Sequence, residues 1–230
     1  MARTRREAAR EELTAQILEL GRAHLAVEGA AGLSLRAIAR DLGMVSSAVY
    51  RYVPSRDALL TLLIVDAYDA LGAVAETAEA RVARADLMGR FVAVAMAVRT
   101  WALEHPHEYA LIYGSPVPGY AAPEATIGPA SRVPTLLLTI LAQMPEPAAG
   151  LAPAEAKVVR TAIAPLASSA AGGIPDERIA RGLASWATLL GAVSLEVFGH
   201  LTNVVAPGQR TRRAFFEHQM REVAAGLGLG

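Results

Sequence analysis

Residues 46–51 read Ser46, Ser47, Ala48, Val49, Tyr50, Arg51: two hydroxyls, a small apolar side chain, a phenol and a guanidinium in a chain otherwise rich in alanine. Hydroxyls can bond phosphate oxygens or base edges, and a side chain as small as Ala48 can lie against a thymine methyl. The same residues also have a purely structural use, since Ser46 and Ser47 can cap a helix and Tyr50 can pack. Their setting favours one use over the other.

Counted from Leu35, a small residue falls at the fifth place (Ala39), glycine at the ninth (Gly43) and a branched apolar residue at the fifteenth (Val49). Ala39 lets two helices cross closely, Gly43 makes the tight turn between them, and Val49 plugs the seam. Ile38, Leu42 and Met44 fill the same core. This is the helix-turn-helix pattern, whose second helix enters the major groove of DNA. Ser46, Ser47, Ala48, Tyr50 and Arg51 then remain on its outward side. Arg3, Arg5, Arg6 and Arg10 crowd the first ten residues against Glu7 alone, a basic arm suited to phosphate.

No catalytic constellation competes with this reading. His105 and His107 flank Pro106, and Glu196 and His200 are four apart, but neither pair has enough neighbouring ligands for zinc. There is no Gly-x-Ser-x-Gly elbow and no phosphate-binding glycine loop, so no catalytic residue, metal or cofactor is expected. The 230 residues contain no cysteine, which removes disulfides and thiolate metal sites. With 53% apolar residues, 19% charged and a net charge of zero, the composition is that of a folded chain. Only Lys157 among the basic residues is lysine, a bias attributed to coding composition. No uninterrupted apolar run approaches the ~18 residues of a membrane helix, and no signal peptide is recognisable, so the expectation is a cytoplasmic protein without a membrane partner.

Helical spacing dominates, and strand-like alternation is scarce. A first helix should run out near Gly29 and Gly32. Ser34 should cap a helix ending at Leu42, Ser46 should begin another that stops before Pro54, and Ser55 should cap one reaching about Ala80. Helices are expected over 86–105, 106–113, 135–143, 153–171, 175–201 and 212–226. The prolines and glycines between Gly114 and Pro134 should interrupt regular structure. The sum is an all-α protein with a small helical head, residues 1–55, on a longer helical body, residues 56–230.

The segment "GLSLRAIARDLGMVSSAVYRYVPSRDALL", Gly32 to Leu60, resembles the N-terminal DNA-binding domain of the TetR/AcrR family of bacterial repressors, over about residues 10–60. The resemblance implies an all-helical homodimer with a three-helix DNA-binding head and a C-terminal domain that binds a small ligand and dimerises. It implies that Ser34, Tyr50, Tyr52 and Arg56 contact phosphates. Arg36, Ser46, Ser47 and Ala48 would face base edges, Arg36 being suited to a bidentate guanine contact. "WALEHPHEYALIYGSPVPGY" and "WATLLGAVSLEVFGH" are similar to a C-terminal subgroup named for a Trp-His-Gly signature, although Leu190 stands where that histidine would be.

Trp101, Tyr109 and Tyr113 concentrate aromatic surface beside a broken helix, and could wall an apolar ligand pocket or simply form core. Ala184, Ala187 and Gly191, with Leu195 below them, could permit the close helix approach of a dimer, or of packing within one chain. The expected function is a ligand-responsive repressor, released from a palindromic double-stranded operator by a small apolar or aromatic effector. An enzyme with a vestigial head and an architectural DNA-binding protein are the alternatives.

Overall fold

Ser34 opens a helix in the way its side chain permits: extended at φ −137°, ψ 114°, it accepts a hydrogen bond from the Ala37 amide at 3.4 Å. Helix α2 (Leu35–Asp41) follows. The computed structural model describes residues 5–144, 153–170 and 174–229, which hold α-helices, one 3-10 turn and no strand. The others are α1 (Arg5–Gly32), α3 (Ser46–Val49), α4 (Arg56–Ala80), α5 (Leu87–Glu104), α6 (Pro106–Tyr113), α7 (Ile127–Ala142), α8 (Pro153–Ala170), α9 (Asp176–Val197) and α10 (Gln209–Leu227). The protein is all-α, as its sequence implies.

Helix α1 ends at Gly32, as expected, and is kinked at Gly29, which adopts φ 66°. Other segments depart from expectation. The Pro-rich interval regains helix at Ile127, eight residues before Thr135: Pro129 sits in the first turn of α7, where no amide is needed, and Pro134 is accommodated inside the helix. Finally, α4 and the segment Glu124–Ala142 are long and apolar enough to cross a membrane by length and composition when a charge or two is allowed within the window, although neither is an uninterrupted apolar run. Asp66 and Asp69 hide this in α4 by breaking the run. Asp66 accepts from Arg22 Nη2 at 2.7 Å, and Leu59, Leu60, Leu63 and Ala67 are buried within the protein.

Contacts gather into two compact units, Met1–Ala70 with His105–Ala130, and Leu71–Glu104 with Ser131–Gly230. The chain passes between them within α4, at the α5–α6 junction and within α7. In the first unit, Ile17, Leu25, Leu35, Ile38, Val49, Val53, Leu59 and Leu63 share one core, against which Leu111, Val117 and Tyr120 also pack. The Tyr120 hydroxyl lies 2.9 Å from Thr61 Oγ1.

In the second unit, α5, α9 and α10 pack together around Phe91, Val94, Val98, Leu189, Val193, Phe216 and Met220. Ion pairs, two of them buried, join the helices of this unit. Arg99 donates to Glu196 from Nε at 2.7 Å and from Nη2 at 2.5 Å, and its guanidinium lies 5.6 Å from the Phe216 ring centroid. A Cβ at Gly72 would stand 2.6 Å from Arg132 Nε, so glycine there lets Arg132 lie across α4 and reach Glu76 at 2.9 and 2.7 Å. Glu79 accepts from Arg84 at 2.7 Å and from Arg90 at 2.6 Å.

The hydrogen bond from Arg84, then that from Arg90, hold the Glu79 carboxyl below its usual range despite burial. A depressed carboxyl stabilises the fold above its unfolded pKa and loses that contribution as pH falls through the folded value. Urea midpoints should therefore decline as pH falls from neutrality through the ordinary carboxylate range and below it. Glu79→Gln should lower the midpoint at neutral pH and make the acid decline shallower; an unchanged decline would exclude Glu79 as a contributor.

Candidate functional site

The turn between α2 and α3 is closed by its own backbone. Gly43 adopts φ 66°, and the amides of Gly43 and Met44 donate to the carbonyls of Arg40 at 3.0 Å and Ala39 at 2.9 Å. Ala39 and Val49 have no exposed surface. The seam residues are thus inward on both helices, and this fixes which residues α3 can present. Helix α1 braces the pair: His24 Nε2 lies 2.6 Å from Asp41 Oδ2, at the end of α2.

Arg36, Ser47, Tyr50 and Arg51 are exposed, while Ser34, Ser46, Ala48 and Tyr52 are half-buried. Two of these have structural partners as well. Ser34 caps α2, and Tyr52 packs against the core of the head. Val45, which the sequence reading passed over, precedes α3 with 71% of its surface exposed. Its signal was its place directly before the paired serines, where an apolar side chain has no core to enter. In the basic arm, Arg10 is exposed; Arg3 and the side chains of Arg5 and Arg6 lie outside the described residues.

Arg56 is placed differently from a freely projecting phosphate contact. Its Nη2 donates to the carbonyl of Ala30 at 2.7 Å and of Ala31 at 3.3 Å, so its charge sits at the C-terminal end of α1. It ties the start of α4 to the end of α1.

The residues considered for ligand and dimer contacts separate clearly. Tyr109 and Tyr113 pack at 5.2 Å between ring centroids, and Tyr68, unmarked by the sequence reading, meets Tyr113 edge-on at 5.8 Å. Burial pushes the Tyr113 phenol far above its usual range, so it is neutral. Trp101 is buried in α5 of the second unit. Ala184, Ala187, Gly191 and Leu195 are all exposed along α9, with Phe198 after them, and a Cβ at Gly191 would meet nothing within 4 Å. Neighbouring α10 exposes Ala214, Phe215 and His218. A further group was invisible in the sequence. Arg99, Arg210, Arg212 and Arg213 line one hollow of the second unit.

Residues 17–63 match the family described as bacterial regulatory proteins, tetR family, and residues 91–223 match the tetracyclin repressor-like C-terminal domain. An HTH-type transcriptional regulator of Mycobacterium tuberculosis (strain ATCC 25618 / H37Rv) is 46% identical over 204 residues, spanning 85% of each chain, and its Mycobacterium bovis counterpart matches equally. The solved structure of SCO4313 is 33% identical with a TM-score of 0.77, covering 96% of this chain and all of that one. PfmR, a TetR family transcriptional regulator from Thermus thermophilus, shares the fold at 17% identity, with a TM-score of 0.56 over 90% of this chain and 96% of its own.

Arg56→Ala should cost the isolated protein about 1 kcal/mol, the scale of a cation at a helix C-terminus. Denaturant unfolding without DNA reads this directly. Stability equal to that of the unaltered chain would mean that the contacts with Ala30 and Ala31 carry no weight.

Proposed function

The chain belongs to the TetR family of bacterial regulatory proteins, and on that premise we propose that it is a homodimeric repressor released from a palindromic operator by a small molecule. The observation that carries the DNA half is α3 itself. Val49 is locked inward while Ser47, Tyr50 and Arg51 stand exposed, beside exposed Arg36 at the start of α2. Ser46, Ser47, Ala48 and Arg36 read base edges, and Val45 adds an apolar surface for a thymine methyl. Ser34, Tyr50, Tyr52 and what remains free of the Arg56 guanidinium hold phosphates. Such a protein works in the cytoplasm, where its operator is.

The dimer forms through α9 and α10. Ala184, Ala187, Gly191, Leu195 and Phe198 make an exposed stripe of small and apolar side chains at helical spacing, and Phe215 extends it on α10. The C-terminal part is assigned to the subgroup with the Trp-His-Gly signature, on Trp186 and Gly191 with Leu190 in the histidine's place. For the effector, Trp101, Tyr109 and Tyr113 remain candidates. The neutral, mutually packed tyrosines favour an apolar or aromatic compound that displaces them. Because α4 passes from one unit into the other, a change in its course is the simplest means of moving the heads.

Fluorescence anisotropy with operator DNA tests the reading. Affinity should fall steeply with salt. Arg36→Ala should cost ~1–3 kcal/mol at one base pair and relax preference there. Equal losses on operator and random DNA would make Arg36 a phosphate contact, and no preference for any operator by the unaltered protein would overturn the proposal.

Gly191→Arg isolates the dimer. Its Cβ enters open space, so the protomer should keep its melting temperature while light scattering reports monomer and operator affinity drops. A dimer that survives Gly191→Arg would place the interface elsewhere.

A further inference from the structure

A hollow of about 840 Å³ lies between the last turns of α5, the end of α9 and the first turns of α10. Arg99, Thr100, Leu103, Glu104 and Glu196 line it from one side, and Gln209, Arg210, Arg212 and Arg213 from the other. Four arginines thus face two carboxylates. Glu196 is already satisfied by the two hydrogen bonds from Arg99, whose guanidinium is further fixed against Phe216. That pair makes a neutral, rigid floor.

The remaining charge is unbalanced. Arg210, Arg212 and Arg213 form no ion pair with a described residue, and Glu104 alone opposes them. Arg210 and Arg213 are exposed, whereas Arg212 is half-buried, and its Nε is shielded from solvent with no hydrogen-bond partner among the described residues. A buried charged donor without an acceptor is costly, and protein interiors rarely tolerate one. Gly208 also brings no side chain to the start of α10, so the first-turn amides add positive potential to the same side of the hollow.

We propose that this hollow binds a small organic anion through a carboxylate or phosphate group, held by the guanidinium of Arg212 with Arg210 and Arg213 at the rim. The fork of an arginine suits either group, and the volume exceeds that of a bare oxyanion, leaving space for an organic body. Glu104 and Thr100 on the opposite wall are able to accept hydrogen bonds, which suits a ligand that also carries a hydroxyl or amine donor. The site is separate from the tyrosines considered above. A regulatory role for the bound anion, beside that of an apolar effector at the tyrosines, rests on the regulator reading; the existence of the site does not.

Calorimetric titration of the full-length protein with citrate and with inorganic phosphate, at fixed ionic strength, tests the site. Saturable binding of at least one is expected. It should weaken about tenfold or more in Arg212→Gln and in the exposed double variant Arg210→Gln, Arg213→Gln, which keeps its fold if Arg212→Gln does not. Arg221→Gln on the same helix, whose arginine pairs with Glu217, should bind as the unaltered protein does. Absence of saturable binding, or equal weakening by Arg221→Gln, would overturn the site. So would a double variant that binds anion normally, or one whose only change is a flatter salt dependence of operator affinity, which would make the arginines DNA contacts. Operator binding by the anion-free protein is measured alongside; its loss would end the regulator reading and leave the anion site standing.

Discussion

Arg99 and Glu196 can only exist together in the interior they occupy. Each has nearly all of its side chain removed from water, and removing either strands the other at a cost of about 3–5 kcal/mol. The pair joins α5 to α9 and, through the ring of Phe216, engages α10. Apolar packing alone would let three such helices slide past one another by a turn. A charge pair that must meet permits one register. The same device recurs where Glu79 gathers Arg84 and Arg90, with Arg90 also donating to Gln143 at 2.8 Å. Arginine suits this better than lysine, because one planar fork can serve two acceptors without rearrangement. The near absence of lysine therefore has structural use at these sites, whatever its origin in composition.

The head is specified by a different constraint, the closeness of two short helices. Ala39 and Gly43 allow the approach, and Val49 fills what is left. Helix α3 has only four residues and could not persist by itself. Its order is borrowed from the core below, so its outward side chains are held in place without being packed. The two tasks fall on alternate faces of one short helix, and neither compromises the other.

Those features nearest in sequence were the most legible. The caps at Ser34 and Ser55, the glycine turn and the seam residues all act within a few residues of one another, where spacing determines contact. Helix α7 was misread because Pro129 falls in its first turn, which sequence alone does not locate, and because Pro134 is carried inside the helix instead of ending it. The arginine-lined hollow was beyond reach. Arg99 and Arg212 are more than a hundred residues apart, and nothing in either neighbourhood announces the other. Arg56 was recognised as an important cation, but its partners are carbonyls, which every residue has and no motif marks. The small-residue stripe on α9 was visible as spacing, yet only the fold distinguishes a bare face from a packed one.

The first unit is not a continuous piece of chain. Its core takes in Leu111, Val117 and Tyr120, contributed after the chain has left for residues 71–104 and returned. During synthesis the helix-turn-helix segment therefore emerges well before the residues that complete its packing. At about 5–20 residues per second the intervening stretch delays closure by a few seconds. Over that interval the nascent head displays the apolar surface that Leu111, Val117 and Tyr120 later cover, a surface open to chaperones. The core of the head is thus completed late, after much of the body's first half has left the ribosome.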